Sequence, residues 1–496
     1  MPSPLVNFTA THPAATAPVS RGSRAPLPLP RREKTLIGVT AVNLVLLAWS
    51  FGGVDVWSQA CAAGLSAFAL VLALRSRRDR AGVAPAARLA RFPIFWAGLA
   101  LAGYVLVQQF NPAYAYHREG AAWWLEARAH LAWLPAGMDL PWPQSGPLRA
   151  LLQWFSPWAT VCALWIGLTR RTSVVALLNL VAANGFLLAA FGLVQLAAGN
   201  TAIYGLRGTV EAKIFASFVY HNHAAAYFNL AGAVAIALAV HGFWRRVQSG
   251  AAQHGPAILH FLFALTAVTA VVLSFSLSGT ILLAAGGSIL LVLTAGRFRP
   301  ALADAGVPWR GLATGAVLVA AIGGLAAVSG NAALRENLQA KLAGGAETSL
   351  RSRLLVDKCG LVMWRDRAWL GWGAGCFRYG FTKYQRDELE IAGSGLTRYY
   401  WEHAHNDWLE ALIELGVVGV LPLAVAAVVT AGFLFRQRCW RLPFVLWGVG
   451  GVALVLAHAL VDFPFQNPAV LFTTACVLVL AARWAELENF AQQQAA

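Results

Sequence analysis

Residues 399–419 read YYWEHAHNDWLEALIELGVVG and join a polar, histidine-containing segment to a long apolar run. The apolar run continues to residue 435, which is longer than the roughly 20 residues a helix needs to cross a bilayer. His403, His405 and Asn406 therefore stand at the mouth of a predicted membrane span. Ionisable groups are costly at such a place, so these side chains are candidates for function.

The composition of the whole chain is typical of a membrane protein. Its 496 residues are 58% hydrophobic and only 12% charged, with a mean hydropathy of +0.58 and 20 tryptophans. So little charge excludes a soluble protein of this size, and tryptophan suits the interfaces of a bilayer. Much of the net charge of +16 lies in short clusters between apolar runs, which does not favour nucleic acid as a partner. The six cysteines include no C-x-x-C pair, so neither a zinc site nor a redox site is predicted.

The apolar runs predict an all-α, polytopic integral membrane protein with about 12 transmembrane helices. The predicted spans are 35–53, 56–74, 92–109, 151–169, 173–197, 219–243, 257–275, 279–296, 309–329, 406–435, 442–460 and 468–484. Arginine clusters in alternate connections fall on one side if both termini are cytoplasmic, as the positive-inside rule requires. These clusters are Arg75, Arg77, Arg78 and Arg80; Arg170 and Arg171; Arg245 and Arg246; Arg297 and Arg299; and Arg436, Arg438 and Arg441. Residues 399–419 then lie on the outer side.

The chain divides accordingly into five regions. An N-terminal tail, 1–33, is rich in Pro, Ala and Ser and is expected to be disordered and cytoplasmic. Membrane helices 1–9 occupy 34–329, and a large outer loop occupies 330–404. Membrane helices 10–12 occupy 405–485, and a short cytoplasmic tail, 486–496, follows.

Two outer segments carry structural expectations. WWLEARAHLAWL, residues 123–134, predicts a helix that lies at the interface on its tryptophans. The large outer loop is expected to be helical at 331–343 and 349–366. Cys359 and Cys376 both lie in that loop, where they either form a disulfide on the oxidising side of the membrane or, for Cys359, pack inside a helix.

Three acids follow the histidines at helical spacing. Asp407, Glu410 and Glu414 fall within about 60° of one another on a helical wheel. Asn406 or Asp407 can cap the helix, with Glu410 completing a box-like pair, so capping and function are both open for the first two acids. Glu414 lies too deep for capping, and acids in spans face the bundle interior or water.

His405 is the candidate general base. If the helix includes it, Gly416 and Gly419 share its face, and glycines at that spacing let another helix approach closely. A neutral imidazole at a wet membrane mouth can take a proton near neutral pH. The alternative is an interface histidine whose hydrogen bonds are satisfied.

His221, Asn222 and His223 form a second His-x-His motif at the outer mouth of a span. Two such pairs raise the question of a metal site. Residues i and i+2 lie about 200° apart on a helix, so one pair rarely chelates a metal from there. We therefore predict no metal.

A cluster of cations marks a candidate anion site. Arg351 and Arg353 lie near the predicted start of the second loop helix. The amides and partial positive charge of a helix N-terminus, together with guanidinium groups, suit a phosphate or pyrophosphate. Arg207 and Lys213 on the preceding outer loop can complete the pocket. The alternative is a solvated basic face. A base and an arginine clamp outside the membrane suit attack on an activated, lipid-anchored donor.

Four segments resemble a known family. HNDWLEALIELGVVG is similar to the His-Asn-x9-Gly-x-x-Gly signature of the bacterial O-antigen ligase and O-antigen polymerase family. SFVYHNHAAAYFNLA, RDRAWLGWGAGCF and HALVDFPFQNPA resemble three further stretches of that family. The resemblance covers roughly residues 170–484, and the layout with a large outer loop before the last three helices also agrees.

The resemblance implies an activity. Members transfer a glycan from undecaprenyl pyrophosphate to an acceptor hydroxyl at the periplasmic face of the inner membrane, with inversion and without a metal or cofactor. The acceptor is the lipid A core for ligases and another glycan for polymerases. Residue by residue, it implies that His405 and Asn406 are catalytic and that Arg351 and Arg353, with Arg207 or Lys213, bind the pyrophosphate. The supporting residues it implies are His221, Asn222, His223, His403, Glu414 and Asp462.

The sequence also departs from the family pattern. Ala216 and His221 stand where glycine and arginine are common in the family, and Gly279 stands where an arginine is expected after the seventh span. One residue of the pyrophosphate clamp is therefore missing or relocated.

Three alternatives to a ligase remain open. A polymerase needs the same donor and base. A protein O-oligosaccharyltransferase is less favoured, because the chain is expected to end soon after the last span without an extra domain. A lipid-linked glycan flippase or other transporter would place paired charges near the midplane on broken helices, often within inverted repeats, which the sequence does not show.

Overall fold

The computed structural model describes residues 29–76, 82–142, 144–208, 214–249, 255–304, 339, 346–394 and 397–495. Most of the predicted tail 1–33, the predicted span 309–329 and almost all of the predicted helix 331–343 lie outside the described residues.

The described chain is mostly helical. Its helices are α1 Arg31–Trp49, α2 Val56–Leu74, α3 Pro85–Ala90, α4 Pro93–Phe110, α5 Pro147–Gly167, α6 Arg171–Ala197, α7 His221–Ser249, α8 Gly255–Leu273, α9 Leu277–Asp304, α10 Ala346–Asp366, α11 Phe377–Gly380, α12 Leu389–Ala392, α13 Asp407–Arg436, α14 Pro443–His458 and α15 Pro468–Ala495. Within this part of the chain, seven helices are long and apolar enough to cross a membrane, and two shorter apolar helices accompany them. The seven are Val56–Leu74, Pro93–Phe110, Arg171–Ala197, His221–Arg245, Leu277–Gly296, Asp407–Arg436 and Pro468–Phe490, and the shorter two are Ala257–Leu273 and Pro443–His458. The prediction of a helical, multi-pass membrane protein is therefore confirmed.

Helix α7 is the best-buried helix of the membrane core and contacts α6, α8, α9 and α14. Small residues make the close approach possible. A Cβ atom on Gly185 of α6 would lie 2.5 Å from the Cβ of Ala231, and one on Gly451 of α14 would lie 2.7 Å from the Cβ of Ala233. Packing of this kind drives helix association in lipid, and it holds α7, whose first residues form the His-x-His motif.

The outer segment after α4 is a β-hairpin, so the predicted interfacial helix at 123–134 is wrong. Strands β1 Pro112–Glu119 and β2 Ala122–Ala127 pair antiparallel, and β3 Gly137–Asp139 adds a parallel strand to β1. The tight turn contains Gly120 at φ +58°. Trp123 and Leu125 pack on the core while their neighbours face out. Alternate burial is typical of a strand. The sequence did not reveal it, because tryptophan occurs at both buried and exposed positions.

A second hydrophobic core lies outside the membrane helices. It joins α10, the glycine segment (residues 371–377), α11 and the start of α13 around Met363, Trp372 and Phe377. Cys359 and Cys376 both belong to this core, and both are free thiols, so the disulfide alternative is wrong. Burial raises the pKa of the Cys376 thiol, which disfavours its reactive thiolate form.

Candidate functional site

Helix α13 begins one residue after Asn406, whose side-chain oxygen accepts the Leu409 N–H at 3.2 Å. Asn406 is therefore the N-cap. His405 lies before the helix, in the left-handed region at φ +55°. The expectation that His405 shares a helical face with Gly416 does not apply, because the helix does not include it. A non-glycine residue in this conformation is uncommon and is often found at a functional site.

Asp462 lies at the centre of the site. Its carboxylate is fully buried, and residues from three distant segments converge on it. Nδ1 of His405 lies 3.4 Å from Oδ1, an ion-pair distance. Nη2 of Arg353 lies 3.4 Å from Oδ2, and Nδ2 of Asn222 donates to the same oxygen. Asn222 also donates to the hydroxyl of Tyr220 at 2.7 Å. We call these five residues the Asp462 cluster.

The charge of Asp462 is stabilised by its cationic neighbours. Burial alone would raise the pKa of this carboxyl group, but the His405 imidazole and the Arg353 guanidinium outweigh burial and hold the pKa below its usual range. A group with a depressed pKa stabilises the fold above its unfolded-state pKa and loses that contribution as the pH falls through the folded-state value. Asp462 is therefore an anion at neutral pH, suited to orient an imidazole and to stabilise its protonated form.

The ring of Phe463 organises the histidines around the cluster. His403 stacks on it at a centroid distance of 4.7 Å, and His405 and His223 meet it edge to face at 4.7 and 4.9 Å. Nε2 of His223 also donates to the Phe463 carbonyl at 3.1 Å. Tyr220 stacks on the same ring at 5.2 Å. The imidazoles are thereby held by packing as well as by polar contacts.

Asp407 and Glu410 connect separate segments, and neither caps α13. Oδ2 of Asp407 accepts the Phe465 N–H at 2.8 Å. Glu410 accepts the Ala404 N–H at 2.7 Å and Nδ1 of His403 at 2.8 Å. Burial disfavours the charge of His403, but Glu410 outweighs it and raises the pKa of that imidazole. The two acids therefore fix the 403–405 loop against α13 and the turn that follows Asp462.

The predicted anion-binding residues do not all lie together. Arg353 belongs to the Asp462 cluster and also donates to the Val461 carbonyl at 2.6 Å. Arg351 is exposed and pairs with Glu390 at 3.0 Å. Arg207 pairs with both carboxylate oxygens of Asp55 at 3.2 Å, next to the turn between α1 and α2. Lys213 lies outside the described residues.

The departures from the family pattern have structural reasons. A Cβ on Gly279 would lie 2.5 Å from the Cβ of Ala225 on α7, so there is no room for an arginine at this contact. Ala216 keeps a left-handed conformation, φ +53°, that favours glycine. Nδ1 of His221 donates to the Ser274 carbonyl at 2.8 Å, whereas His223 faces Phe463. Because the two imidazoles bind different segments, they do not form a chelating pair.

The described residues do not form a metal centre. Across the described ranges, no group of three or more His, Cys, Asp or Glu side chains is arranged to hold a metal ion. The groups that surround Asp462 are a guanidinium, an amide and an imidazole. These hydrogen-bond donors suit an anionic ligand better than a metal cation.

Sequence reasoning did not single out Asp357, which lies one turn after Arg353 on α10. Burial raises the pKa of its carboxyl group to about 6, while the Asn406 side chain and Arg353 oppose the shift. One of its oxygens is buried without a hydrogen-bond partner among the described residues. The i, i+4 spacing from Arg353 was the one signal that pointed to it.

Helix α13 is broken at Gly416, where φ is +65° and ψ is 178°. A break at membrane depth leaves backbone groups without partners, which is costly in lipid. Residues 368–373 cross the break and supply those partners. The bonds are Trp372 N–H to Ile413 O (2.9 Å), Gly373 N–H to Glu414 O (2.9 Å), Val417 N–H to Ala368 O (2.9 Å) and Val418 N–H to Trp369 O (3.1 Å).

Glu414 joins the same contact through its side chain. Its Oε1 accepts the Phe377 N–H, at the start of α11, at 3.0 Å. Nε2 of Gln108 on α4 donates to the Glu414 carbonyl at 3.0 Å. The acid that sequence reasoning could not account for thus ties the glycine segment to the membrane helix. We expect it to position the outer loop.

Glu414→Ala should destabilise the protein by about 1–3 kcal/mol, because the Phe377 N–H would be left buried without an acceptor. Glu414→Gln keeps an acceptor oxygen and should lie much closer to wild type. Thermal unfolding of the purified protein in detergent measures both. Wild-type stability of the alanine variant would contradict this structural role and return Glu414 to the list of functional acids.

The seven long apolar helices define a multi-pass membrane protein, and the Asp462 cluster lies at the ends of three helices. A family model described as O-antigen ligase matches residues 261–424, a region that contains Arg353, His405, Glu414 and Gly416. This match confirms the resemblance that the motifs predict: across 261–424 the chain carries the domain of the O-antigen ligase family. That domain indicates a membrane glycosyltransferase of the ligase or polymerase type. No curated protein matches the chain.

Proposed function

We propose that the protein transfers a glycan from an undecaprenyl-pyrophosphate donor to an acceptor hydroxyl at the periplasmic face of the inner membrane, as an O-antigen ligase with the lipid A core as acceptor. The observation that carries the proposal is the convergence of His405 and Arg353 on buried Asp462. Arg353 and Asp462 belong to different motifs and lie 109 positions apart in the sequence. A base, its orienting carboxylate and a cation thereby meet at one point.

The chemistry is a single displacement. His405 accepts the proton of the acceptor hydroxyl as the hydroxyl oxygen attacks the anomeric carbon of the donor. The bond between that carbon and the pyrophosphate oxygen breaks, and undecaprenyl pyrophosphate leaves with the electron pair, so the anomeric configuration inverts. Asp462 orients the imidazole and stabilises its protonated form, and Arg353 stabilises the charge that develops on the leaving group. No step calls for a metal or a cofactor.

The topology belongs to the proposal as well. We place twelve spans in the inner membrane, with 34–329 holding the first nine, 330–404 forming the periplasmic loop and 405–485 holding the last three; tails 1–33 and 486–496 are cytoplasmic. Two observations support this orientation. The Asp462 cluster gathers the starts of α7 and α13 and the end of α14. At the other ends of the helices, Arg88 pairs with Glu486 and Arg171 with Glu488.

Arg353 and Arg351 offer a matched test of the anion site. Arg353→Ala should lower transfer by at least roughly tenfold, because a cation beside the leaving group is lost. Arg351→Ala should have the smaller effect, since that guanidinium is exposed and engages Glu390. Initial rates of transfer by the two purified variants provide the comparison. A larger loss for Arg351→Ala would shift the pyrophosphate contact to the exposed arginine, as the family motif alone implies.

A transporter is the candidate of a different class, and the break in α13 is the observation that favours it. Broken helices line the substrate paths of many secondary transporters. Here the outer loop occupies the break and takes up its backbone groups, so it does not open a path at that point. A transferase explains the Asp462 cluster, and the backbone contacts with residues 368–373 account for the break.

The phenotype of a deletion strain separates the candidates. Loss of O-antigen from an otherwise complete core, with lipid-linked glycan accumulating in the periplasm, is the outcome we expect for a ligase. A core that carries single repeat units would indicate a polymerase. Accumulation of the lipid-linked unit on the cytoplasmic side would indicate a flippase, and loss of glycan from proteins alone would indicate an oligosaccharyltransferase.

A further inference from the structure

An exposed aromatic and charged surface lies beside the candidate site. Tyr400 meets Trp123 of the hairpin edge to face at a centroid distance of 6.3 Å. Arg378 donates to the Tyr400 hydroxyl at 3.1 Å and to the Glu402 carboxylate at 2.8 Å, and its guanidinium lies 5.6 Å from the Tyr379 ring. Tyr379 is buried in the second hydrophobic core. We call the other four residues, Trp123, Arg378, Tyr400 and Glu402, the aromatic patch. None of them has a role in the proton transfer or in holding pyrophosphate.

The aromatic patch carries exposed charged groups, which favours contact with water over contact with lipid. The Glu402 side chain is 60% exposed and the Arg378 side chain 26% exposed. Tyr400 is 40% exposed, and the Arg378 guanidinium lies 5.3 Å from the centroid of its ring. The hairpin next to it carries an exposed Arg128–Asp139 ion pair. So many charges make a bilayer contact costly.

The aromatic patch is continuous with the candidate base. Tyr400 and Glu402 flank Trp401, whose ring meets the His405 imidazole edge to face at 5.5 Å. The Trp401 indole N–H donates to the Ile391 carbonyl at 2.9 Å, which fixes this link. Tyr400 and Glu402 of the aromatic patch and the imidazole are therefore carried by one short segment, residues 400–405.

We propose that the aromatic patch binds a saccharide, namely a sugar unit of the glycan whose reacting end lies at His405. A pyranose ring has an apolar C–H face and a rim of hydroxyl groups. The open part of Tyr400 suits the apolar face, while Arg378 donates to hydroxyl oxygens and Glu402 accepts from hydroxyl protons. Sites that combine aromatic surface with a few placed polar groups are the usual form of small-ligand sites. This inference rests on the proposed function.

The test is a binding measurement that does not depend on transfer. The probe is the water-soluble oligosaccharide fraction released by mild acid hydrolysis from the lipopolysaccharide of the strain that carries the gene. It is titrated onto the full-length protein in lipid nanodiscs and followed by saturation-transfer difference NMR. We expect wild type to bind, and Tyr400→Ala to bind about tenfold more weakly because an aromatic contact is lost. Glu402→Gln, an exposed change that spares folding, should also weaken binding.

Tyr399→Ala is the matched control, since Tyr399 is an adjacent exposed tyrosine that makes no ring contact with the aromatic patch among the described residues. It should bind as wild type does. Equal affinity of wild type, Tyr400→Ala and Glu402→Gln would overturn the inference, and so would absence of binding to wild type.

His405→Ala separates this inference from the proposed function. The variant should keep saccharide binding while losing transfer. If wild type transfers no glycan but its oligosaccharide binding depends on Tyr400, the proposed function fails and the saccharide site stands. If transfer depends on His405 but binding is indifferent to Tyr400, the saccharide site fails and the proposed function stands.

Discussion

Replacement of His405 by alanine is expected to lower glycan transfer by about 10²–10⁴-fold, the usual contribution of a positioned general base. The structural reason is the placement of the imidazole, which lies 3.4 Å from the buried Asp462 carboxylate and edge to face against Phe463. The variant is expressed in a deletion strain. Lipopolysaccharide is then resolved on gels, and an immunoblot of the membrane fraction checks insertion.

His130→Ala is the matched control for this variant. His130 is an exposed histidine between β2 and β3, and its Nδ1 donates to the nearby Arg128 carbonyl at 3.0 Å. It should restore lipopolysaccharide as wild type does. Normal glycan products from membranes that contain His405→Ala would remove His405 from the mechanism and leave the Asp462 cluster with a structural role.

Gly416→Ala should have the largest effect on stability. At φ +65° and ψ 178°, the backbone of Gly416 is open essentially to glycine alone. An added Cβ would lie 2.4 Å from the Trp369 carbonyl oxygen and 2.5 Å from the Gly371 nitrogen. Backbone strain and overpacking together should cost roughly 2–6 kcal/mol. We expect a large fall in melting temperature in detergent and poor accumulation in membranes.

Gly432→Ala, farther along the same helix, is the control. Nothing lies within 4 Å of a Cβ at that position, and its backbone is helical. Alanine favours a helix over glycine by about 1 kcal/mol, so this variant should be at least as stable as wild type. Equal melting temperatures for the two alanine variants would show that the outer loop does not depend on the break in α13.

The membrane helices could be predicted because their signal is local. Lengths of apolar sequence, prolines at helix starts such as Pro93 and Pro443, and alternating arginine clusters depend on nearby residues alone. The hairpin at 112–127 could not be predicted in the same way. A strand that buries Trp123 and Leu125 and exposes Trp124 differs from an interfacial helix only in its period over six residues.

Sequence reasoning named four of the five residues of the Asp462 cluster as candidates but missed Tyr220, and it could not predict how they meet. Motifs identified His405, Asn222, Arg353 and Asp462, yet only the fold shows that they meet. The fold also brings Arg353 to the cluster and leaves Arg351 exposed, although Arg351 is the arginine that matches the family's pyrophosphate-binding motif. The role of Glu414 could not be predicted from the sequence, because its partner is a backbone N–H 37 residues away. Backbone donors leave no trace in side-chain patterns.

The central claim is that the Asp462 cluster catalyses glycan transfer from a lipid pyrophosphate. The most direct test is transfer by the purified protein, in lipid vesicles, from undecaprenyl-pyrophosphate-linked glycan to purified core lipopolysaccharide. We predict that wild type yields glycan joined to the core together with free undecaprenyl pyrophosphate, and that His405→Ala yields neither. The account would be contradicted if a folded wild-type protein yielded no product, or if His405→Ala yielded product at the wild-type rate.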